Sequence, residues 1–120
     1  MKKYYVLFVT IFIIIFSCFG NAEINSSYNN IVPDKYVLYQ NYPNPFNPTT
    51  TIKYALPSSG FVTIKVFNSL GNEVATLVNE EEEAGYYNVV FDGTNFSSGV
   101  YYLQFKSNKF LRVKKMILLK

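Results

Sequence analysis

The sequence predicts an all-β fold, a sandwich or barrel built from short strands. Three observations predict it: apolar and polar residues alternate with period two, β-branched and aromatic residues are enriched, and turn-forming residues recur about every 8 to 12 positions. Eleven Tyr and eleven Phe residues supply bulky side chains for a small core. No segment after residue 22 has a convincing helical period, so a single small β-domain is expected.

Six segments carry the strand pattern, and a shorter run, YVLYQ at 36–40, precedes them. They are TIKYAL (51–56), FVTIKVF (61–67), EVATLV (73–78), GYYNVVF (85–91), VYYLQF (100–105) and FLRVKKMILL (110–119). In four of them alternate residues form one apolar face, which we expect to point into the core. These faces are Ile52, Tyr54 and Leu56; Val62, Ile64 and Val66; Tyr87, Val89 and Phe91; and Tyr101, Leu103 and Phe105.

Glycine-containing turns separate these segments. Gly71 suits a turn position with positive φ, and Gly85 ends an acidic run at 80–83. Asp92-Gly93-Thr94-Asn95 and Ser97-Ser98-Gly99 are further turn signals. The four glutamates predict a solvated loop tip and not a cation site. A calcium loop spaces its ligands at alternate positions and uses glycine to bend, and this run does neither.

The first 22 residues have the layout of a secretory signal peptide. Lys2 and Lys3 precede an apolar run at 4–19, and Ala22 ends a short stretch of small residues. We expect cleavage after Ala22. The alternative is a retained membrane anchor, but the run of 16 residues is shorter than the roughly 20 that a spanning helix needs. The membrane is therefore expected to be contacted only through the signal peptide.

Cys18 lies inside this leader. The stretch around it faintly resembles a lipoprotein signal, in which the cysteine is lipidated, although the bulky Phe16 disfavours that alternative. Residues 23–35 are polar and rich in Asn and Ser, which predicts a flexible linker. The folded domain is expected to occupy residues 36–120.

The residue inventory of the expected mature chain excludes most enzyme chemistry. After residue 22 there is no Cys, and the chain has no His, so disulfides, thiolate sites, His-based acid–base catalysis and nearly all zinc sites are excluded. We expect no catalytic residue, no cofactor and no metal. Loss of Lys2 and Lys3 lowers the net charge from +3 to +1, which gives nucleic-acid binding little support.

The stretch NYPNPFNPTT at residues 41–50, called the proline connector below, joins two strand segments. Its prolines are Pro43, Pro45 and Pro48. Each fixes φ near −65°, removes a backbone donor and disfavours the helical region at the residue before it, here Tyr42, Asn44 and Asn47. Asparagine side chains, including that of Asn41, can replace the missing amides. Phe46 is expected to plug the end of the core.

Two interpretations of the proline connector stay open at this point. It is either a rigid crossover between strands or a rigid surface that a partner recognises. The last segment raises a similar question, because Lys114, Lys115 and Lys120 lie on or beside it. An exposed last strand could add to a partner's sheet, whereas lysines on an edge strand prevent unwanted pairing.

Several motifs follow one another in a specific order. They are NYPNPFNPTT, FNSLGNEVATLV, AGYYNVVFDGTN, SSGVYYLQF and the basic, apolar end KKMILLK. With this order, residues 38–120 closely resemble the type A C-terminal sorting domain of the type IX (Por) secretion system. The resemblance implies an immunoglobulin-like antiparallel β-sandwich of about seven strands. It also implies export through the periplasm, recognition by outer-membrane secretion machinery, and a secreted or cell-surface location. Cleavage and attachment to cell-surface lipopolysaccharide would follow.

The resemblance also implies a set of sorting-motif residues. They are Asn41, Tyr42, Pro43, Asn44, Pro45, Phe46, Asn47, Pro48, Gly71, Gly85, Asp92, Gly93, Gly99, Tyr101, Lys114 and Lys115. Two positions depart from the family, because Tyr87 stands near a common His or other polar residue and Phe91 near a common Trp. Few residues precede the domain, so we expect a member almost without cargo, or one in which the sandwich is itself the product. The alternative function is a stand-alone adhesive or scaffolding module at the cell surface.

Overall fold

The computed structural model describes residues 31–120, which form seven β-strands and no helix. The strands are β1 (Val37–Leu38), β2 (Thr49–Leu56), β3 (Gly60–Asn68), β4 (Glu73–Glu82), β5 (Gly85–Asp92), β6 (Gly99–Ser107) and β7 (Phe110–Leu118). Within this range, accordingly, no helix has the length and apolar character that crossing a membrane requires. The expected signal peptide at 1–22, with Cys18 and Ala22, lies outside the described residues, as does most of the expected linker.

The strands form two antiparallel sheets that pack face to face. One sheet has the order β1-β2-β5 and the other the order β4-β3-β6-β7. The chain changes sheet after β2, after β4 and after β5, so that both sheets contain strands from the two halves of the domain. This topology confirms the predicted immunoglobulin-like antiparallel β-sandwich.

The core lies between the sheets and consists of the inward residues of the period-two pattern. Ile52 and Leu56 are fully buried, as are the inward residues of three strands of the other sheet, which are Val62, Ile64, Val66, Leu103, Phe105, Met116 and Leu118. The buried core residues are Leu38, Phe46, Ile52, Tyr54, Leu56, Val62, Ile64, Val66, Phe91, Tyr101, Leu103, Phe105, Met116 and Leu118. Tyr87 and Val89 are half-buried, because β5 is an edge strand. The predicted inward faces are therefore confirmed.

Strand β4 is longer than the sequence pattern predicts. The backbone pairing with β3 continues through Val62 with Glu80 and Gly60 with Glu82, so three of the four glutamates lie in the strand. The expectation of a loop tip at 80–83 was wrong for these residues. Backbone pairing at a sheet edge does not require apolar side chains, and Glu82 Oε1 accepts a hydrogen bond of 2.5 Å from the Tyr54 hydroxyl.

Candidate functional site

The proline connector runs parallel to the C-terminal half of β7. The N–H of Phe46 donates to the carbonyl oxygen of Ile117 at 2.9 Å, and the N–H of Leu119 donates to the carbonyl oxygen of Phe46 at 3.0 Å. Phe46 and Leu118 form the parallel bridge between the two segments. The two surfaces that the sequence suggested for recognition are therefore one continuous surface.

Two side-chain amides extend this contact. The N–H of Ile117 donates to Asn44 Oδ1 at 3.0 Å, and Gln40 Nε2 donates to the carbonyl oxygen of Lys115 at 2.9 Å. Prolines cannot donate from the backbone, so side chains beside them supply bonds that a regular strand would make with its backbone. The expected use of asparagine side chains in the connector is present at Asn44.

Asn41 holds the bend of the connector from inside. Its side chain is buried, and Nδ2 donates to the carbonyl oxygen of Pro43 at 3.2 Å and to Thr50 Oγ1 at 3.0 Å. The Thr50 hydroxyl in turn donates to the carbonyl oxygen of Pro43 at 2.8 Å. Oδ1 of Asn41 accepts from Gln40 Nε2 at 2.7 Å. These bonds satisfy a buried amide that would otherwise cost stability.

Phe46 anchors the connector in the core. Its side chain is 1% exposed, and its ring lies edge-on to that of Phe91 with the centroids 5.8 Å apart. Gly93 lies against the same ring, and its N–H donates to the carbonyl oxygen of Pro48. The expected plug at the end of the sandwich is present.

Most of the remaining connector residues face solvent. Tyr42 is 82% exposed, although its backbone forms two hydrogen bonds with Thr51. The other exposed residues are Pro43, Asn44, Pro45, Asn47, Pro48 and Thr49. The peptide bonds that precede the three prolines are cis. One buried ring and one buried amide thus hold an exposed, proline-rich surface in place.

The loop between β5 and β6 ties down the end of the chain. The N–H of Lys120 donates to Ser98 Oγ at 2.9 Å, and its Nζ donates to the carbonyl oxygen of Thr94 at 2.5 Å. Asp92 Oδ1 accepts from the hydroxyl and the N–H of Thr94, and these bonds lower the pKa of the Asp92 carboxyl, with a smaller contribution from Lys120. Asp92 itself pairs with Thr49, near the end of the connector.

Tyr101 forms a tyrosine corner at the start of β6. Its ring is buried, and its hydroxyl donates to the carbonyl oxygen of Ser97, four residues earlier, at 2.6 Å. This arrangement is a recurrent feature of immunoglobulin-like sandwiches. Gly99 pairs with Leu118, so it lies beside the connector contact.

Not all of the expected sorting-motif residues come together. Gly71, with φ of 85°, lies in the turn between β3 and β4, on the far side of β6 from β7. Gly85 pairs with Leu56 at the opposite end of β2 from the connector. Lys114 is half-buried and Lys115 is exposed on β7. The sequence singled out neither Gln40 nor Thr50, because a single polar residue beside a strand carries no pattern that marks its partner.

Within residues 31–120 no group of three or more Asp, Glu, His or Cys side chains converges to hold a metal ion. The site is instead a shaped surface of backbone, amides and prolines. Such a surface can recognise another chain by its form and hydrogen bonds.

Comparison with known proteins agrees with this description. Residues 40–119 match the family model described as a secretion system C-terminal sorting domain. The matched range includes the proline connector, the Asp92–Gly99 loop and β7. No curated protein and no solved structure matches the chain.

Proposed function

Because the chain belongs to the family of type IX secretion C-terminal sorting domains, we propose that residues 36–120 are a folded label by which outer-membrane secretion machinery delivers the protein to the cell surface. The family is defined by sorting and not by catalysis. The domain acts through the shape and hydrogen-bonding groups of its surface.

The observation that carries this proposal is the contact between the connector and β7. Phe46 bonds with Ile117 and Leu119, so residues more than seventy positions apart form one rigid surface at the end of the chain. A recognised surface must have the same structure in every copy, and this contact holds the connector and β7 in one arrangement. The proposed sorting residues are those near the contact, namely Asn41 to Pro48, Asp92, Gly93, Gly99, Tyr101, Lys114 and Lys115. Asn41, Phe46, Gly93 and Tyr101 are buried and hold the surface in shape, and the machinery contacts the others. Gly71 and Gly85 shape distant turns.

The proposed route has three stages. The signal peptide at 1–22 directs the chain to the periplasm and is cleaved after Ala22. The sandwich folds there and is read by the outer-membrane machinery. The chain is then cut in the linker at 23–35, and the released cargo end is attached to cell-surface lipopolysaccharide.

The test compares the full chain in cells with and without a working type IX system. We expect surface delivery in the first and periplasmic accumulation in the second. Deletion of residues 111–120 should also retain the protein. That deletion removes the buried Met116 and Leu118, so it tests folding and sorting together, and the comparison of strains is the decisive one.

Mass spectrometry of the delivered protein completes the test. A start at Glu23 and a second cut before residue 36 are expected in cells with the type IX system. An uncut domain that reaches the surface equally in both strains would contradict the proposal. That result would instead favour a stand-alone adhesive module.

A further inference from the structure

Part of the outer edge of β7 has no partner among residues 31–120. In an antiparallel pair, alternate residues direct their N–H and C=O groups toward the neighbouring strand and away from it. Ile117 and Leu119 use their outward groups on the connector. Leu111 and Val113 occupy equivalent outward positions, and within the described residues their backbone groups make no hydrogen bond. The hydrogen bond from Gln40 to the carbonyl oxygen of Lys115 marks the boundary between the covered and the open part of the β7 edge.

A groove of about 240 Å³ runs beside this open stretch, between β7 and the chain around β1. Tyr36 and Leu38 line one side, and Phe110, Arg112 and Lys114 line the other. The stacked rings of Tyr36 and Phe110, with centroids 5.1 Å apart, join the two sides. Residues 111–115 offer about 17 Å of strand, enough for an added segment of about five residues.

The groove is basic. Among residues 31–120, Lys35, Arg112 and Lys114 line it and no acidic residue does. The Arg112 guanidinium lies 5.3 Å from the centroid of the Phe110 ring, and both residues line the groove. Cations in this arrangement favour a partner that carries carboxylates.

On the outer face of the sheet, the side chains of the open stretch do not protect it, and its cations Arg112 and Lys114 lie on the other face, toward the groove. Leu111 and Val113 are 54% and 49% exposed, and exposed apolar residues on an unpaired edge favour pairing with another strand. A charge that prevents unwanted pairing is expected on the uncovered part of an edge strand. Lys115 lies instead where Gln40 already bonds to the strand, so it does not protect the open part. The arrangement therefore fits strand addition better than edge protection.

We propose that residues 111–115 and this groove are the docking surface on which the secretion machinery adds an extended, carboxylate-rich segment to the sheet. The inference rests on the proposed sorting function and specifies the surface and the chemistry of the partner. Main-chain hydrogen bonds to Leu111 and Val113 supply affinity, and Arg112 and Lys114 select acidic side chains.

Val113→Pro tests the backbone part of the proposal in the full chain. Its outward N–H is not used in the pairing with β6, so the substitution removes a docking donor and spares the ladder. Val90→Pro is the matched control, because Val90 is 59% exposed and occupies the equivalent outward position on the edge strand β5. We expect surface delivery to fall at least tenfold for Val113→Pro and to stay near the wild-type amount for Val90→Pro.

A double charge reversal tests the groove without changing the backbone. Arg112→Glu with Lys114→Glu should also retain the protein in the periplasm. The control, Lys53→Glu with Lys106→Glu, makes the same change in net charge on the outer faces of the two sheets, where both lysines are exposed. Resistance to protease must equal that of the wild type for each retained variant, which establishes that the sandwich is folded.

The outcomes separate the two proposals. Normal delivery of folded Val113→Pro, or of the double reversal, overturns the docking surface and leaves the sorting function intact. Wild-type delivery that does not depend on the type IX system overturns the sorting function itself. A wild-type dimer that Val113→Pro converts to a monomer assigns the groove to a second copy. An outward amide of Val113 that is protected from hydrogen exchange in the wild type, and loses that protection when residues 23–30 are replaced with Gly and Ser, assigns the groove to the chain's own segment. Either result contradicts the proposal.

Discussion

The N–H of Gly93 donates a hydrogen bond of 2.7 Å to the carbonyl oxygen of Pro48. This bond joins the loop after β5 to the end of the proline connector. A Cβ atom at position 93 would lie 3.1 Å from that carbonyl oxygen and 3.0 Å from Leu118 Cδ2. A side chain here would crowd both atoms, so glycine favours this close approach, and the loop, the connector and β7 meet at this residue.

Gly93→Ala should destabilise the domain by about 1–3 kcal/mol, because the added methyl group overpacks a contact made partly by backbone. Urea unfolding of the purified protein measures the change. Asn95→Ala, in the same loop and exposed, is the control and should change the free energy of unfolding by less than about 0.5 kcal/mol. Equal stability of the two variants would contradict the role of the close contact.

The strands were predicted well from the sequence. A strand that buries one face has an apolar residue at every second position, and this pattern can be recognised in the sequence. Ile52, Tyr54 and Leu56 are buried, and the intervening Thr51 and Lys53 are polar. The end of β4 was not predicted, because it has no buried face and therefore no apolar alternation. Glu80 and Glu81 are exposed, so their position in the strand depends on backbone pairing with β3, which leaves no apolar pattern.

The candidate site was predicted only in part. The prolines indicated a rigid connector, and the isolated apolar side chain of Phe46 indicated a plug in the core. Both predictions were possible because they need only the residue type. The contact with β7 was not predictable in the same way. It depends on backbone groups of Ile117 and Leu119, which every position of a chain has, and on the side-chain amide of Gln40, for which the sequence shows no partner.

Phe46→Ala should cost about 3–5 kcal/mol, the usual range for truncating a buried phenylalanine. Its ring fills the end of the core against Phe91. This loss is a large share of the roughly 5–15 kcal/mol that stabilises a typical domain. Tyr42→Ala is the control within the same connector, because that ring is 82% exposed. Thermal unfolding should separate the two variants, and a similar midpoint for both would show that the connector is not anchored by its phenylalanine.

Tyr101→Phe removes only the hydroxyl that donates to the carbonyl oxygen of Ser97. We expect a loss of about 0.5–1.5 kcal/mol, the net contribution of one such hydrogen bond. Tyr102→Phe is the matched control, since its neighbouring ring is 39% exposed on the outer face of the same strand. Denaturant titrations of both variants give the comparison, and an unchanged midpoint for Tyr101→Phe would contradict the tyrosine corner.

The tyrosines that meet the glutamate run should make the domain sensitive to alkali. Burial, together with the hydrogen bond to Glu82, raises the pKa of Tyr54. Burial and the charges of Glu82 and Glu83 also raise the pKa of Tyr87, whose ring stacks on Tyr54 at 5.3 Å. In the unfolded chain a tyrosine ionises near pH 10. The unfolded state therefore loses these protons first as the pH rises.

It follows that the contribution of the protonated Tyr54 and Tyr87 hydroxyls to the free energy of unfolding is fully present below about pH 10 and declines above that value. Tyr54→Phe removes one of the two groups, so its free energy of unfolding should fall less steeply between about pH 10 and 11 than that of the wild type. Tyr86→Phe, on the exposed face of β5, is the control and should keep the wild-type slope. Unfolding in urea at a series of pH values measures both slopes. An identical decline for Tyr54→Phe and the wild type would show that the Tyr54–Glu82 contact does not govern the alkaline response.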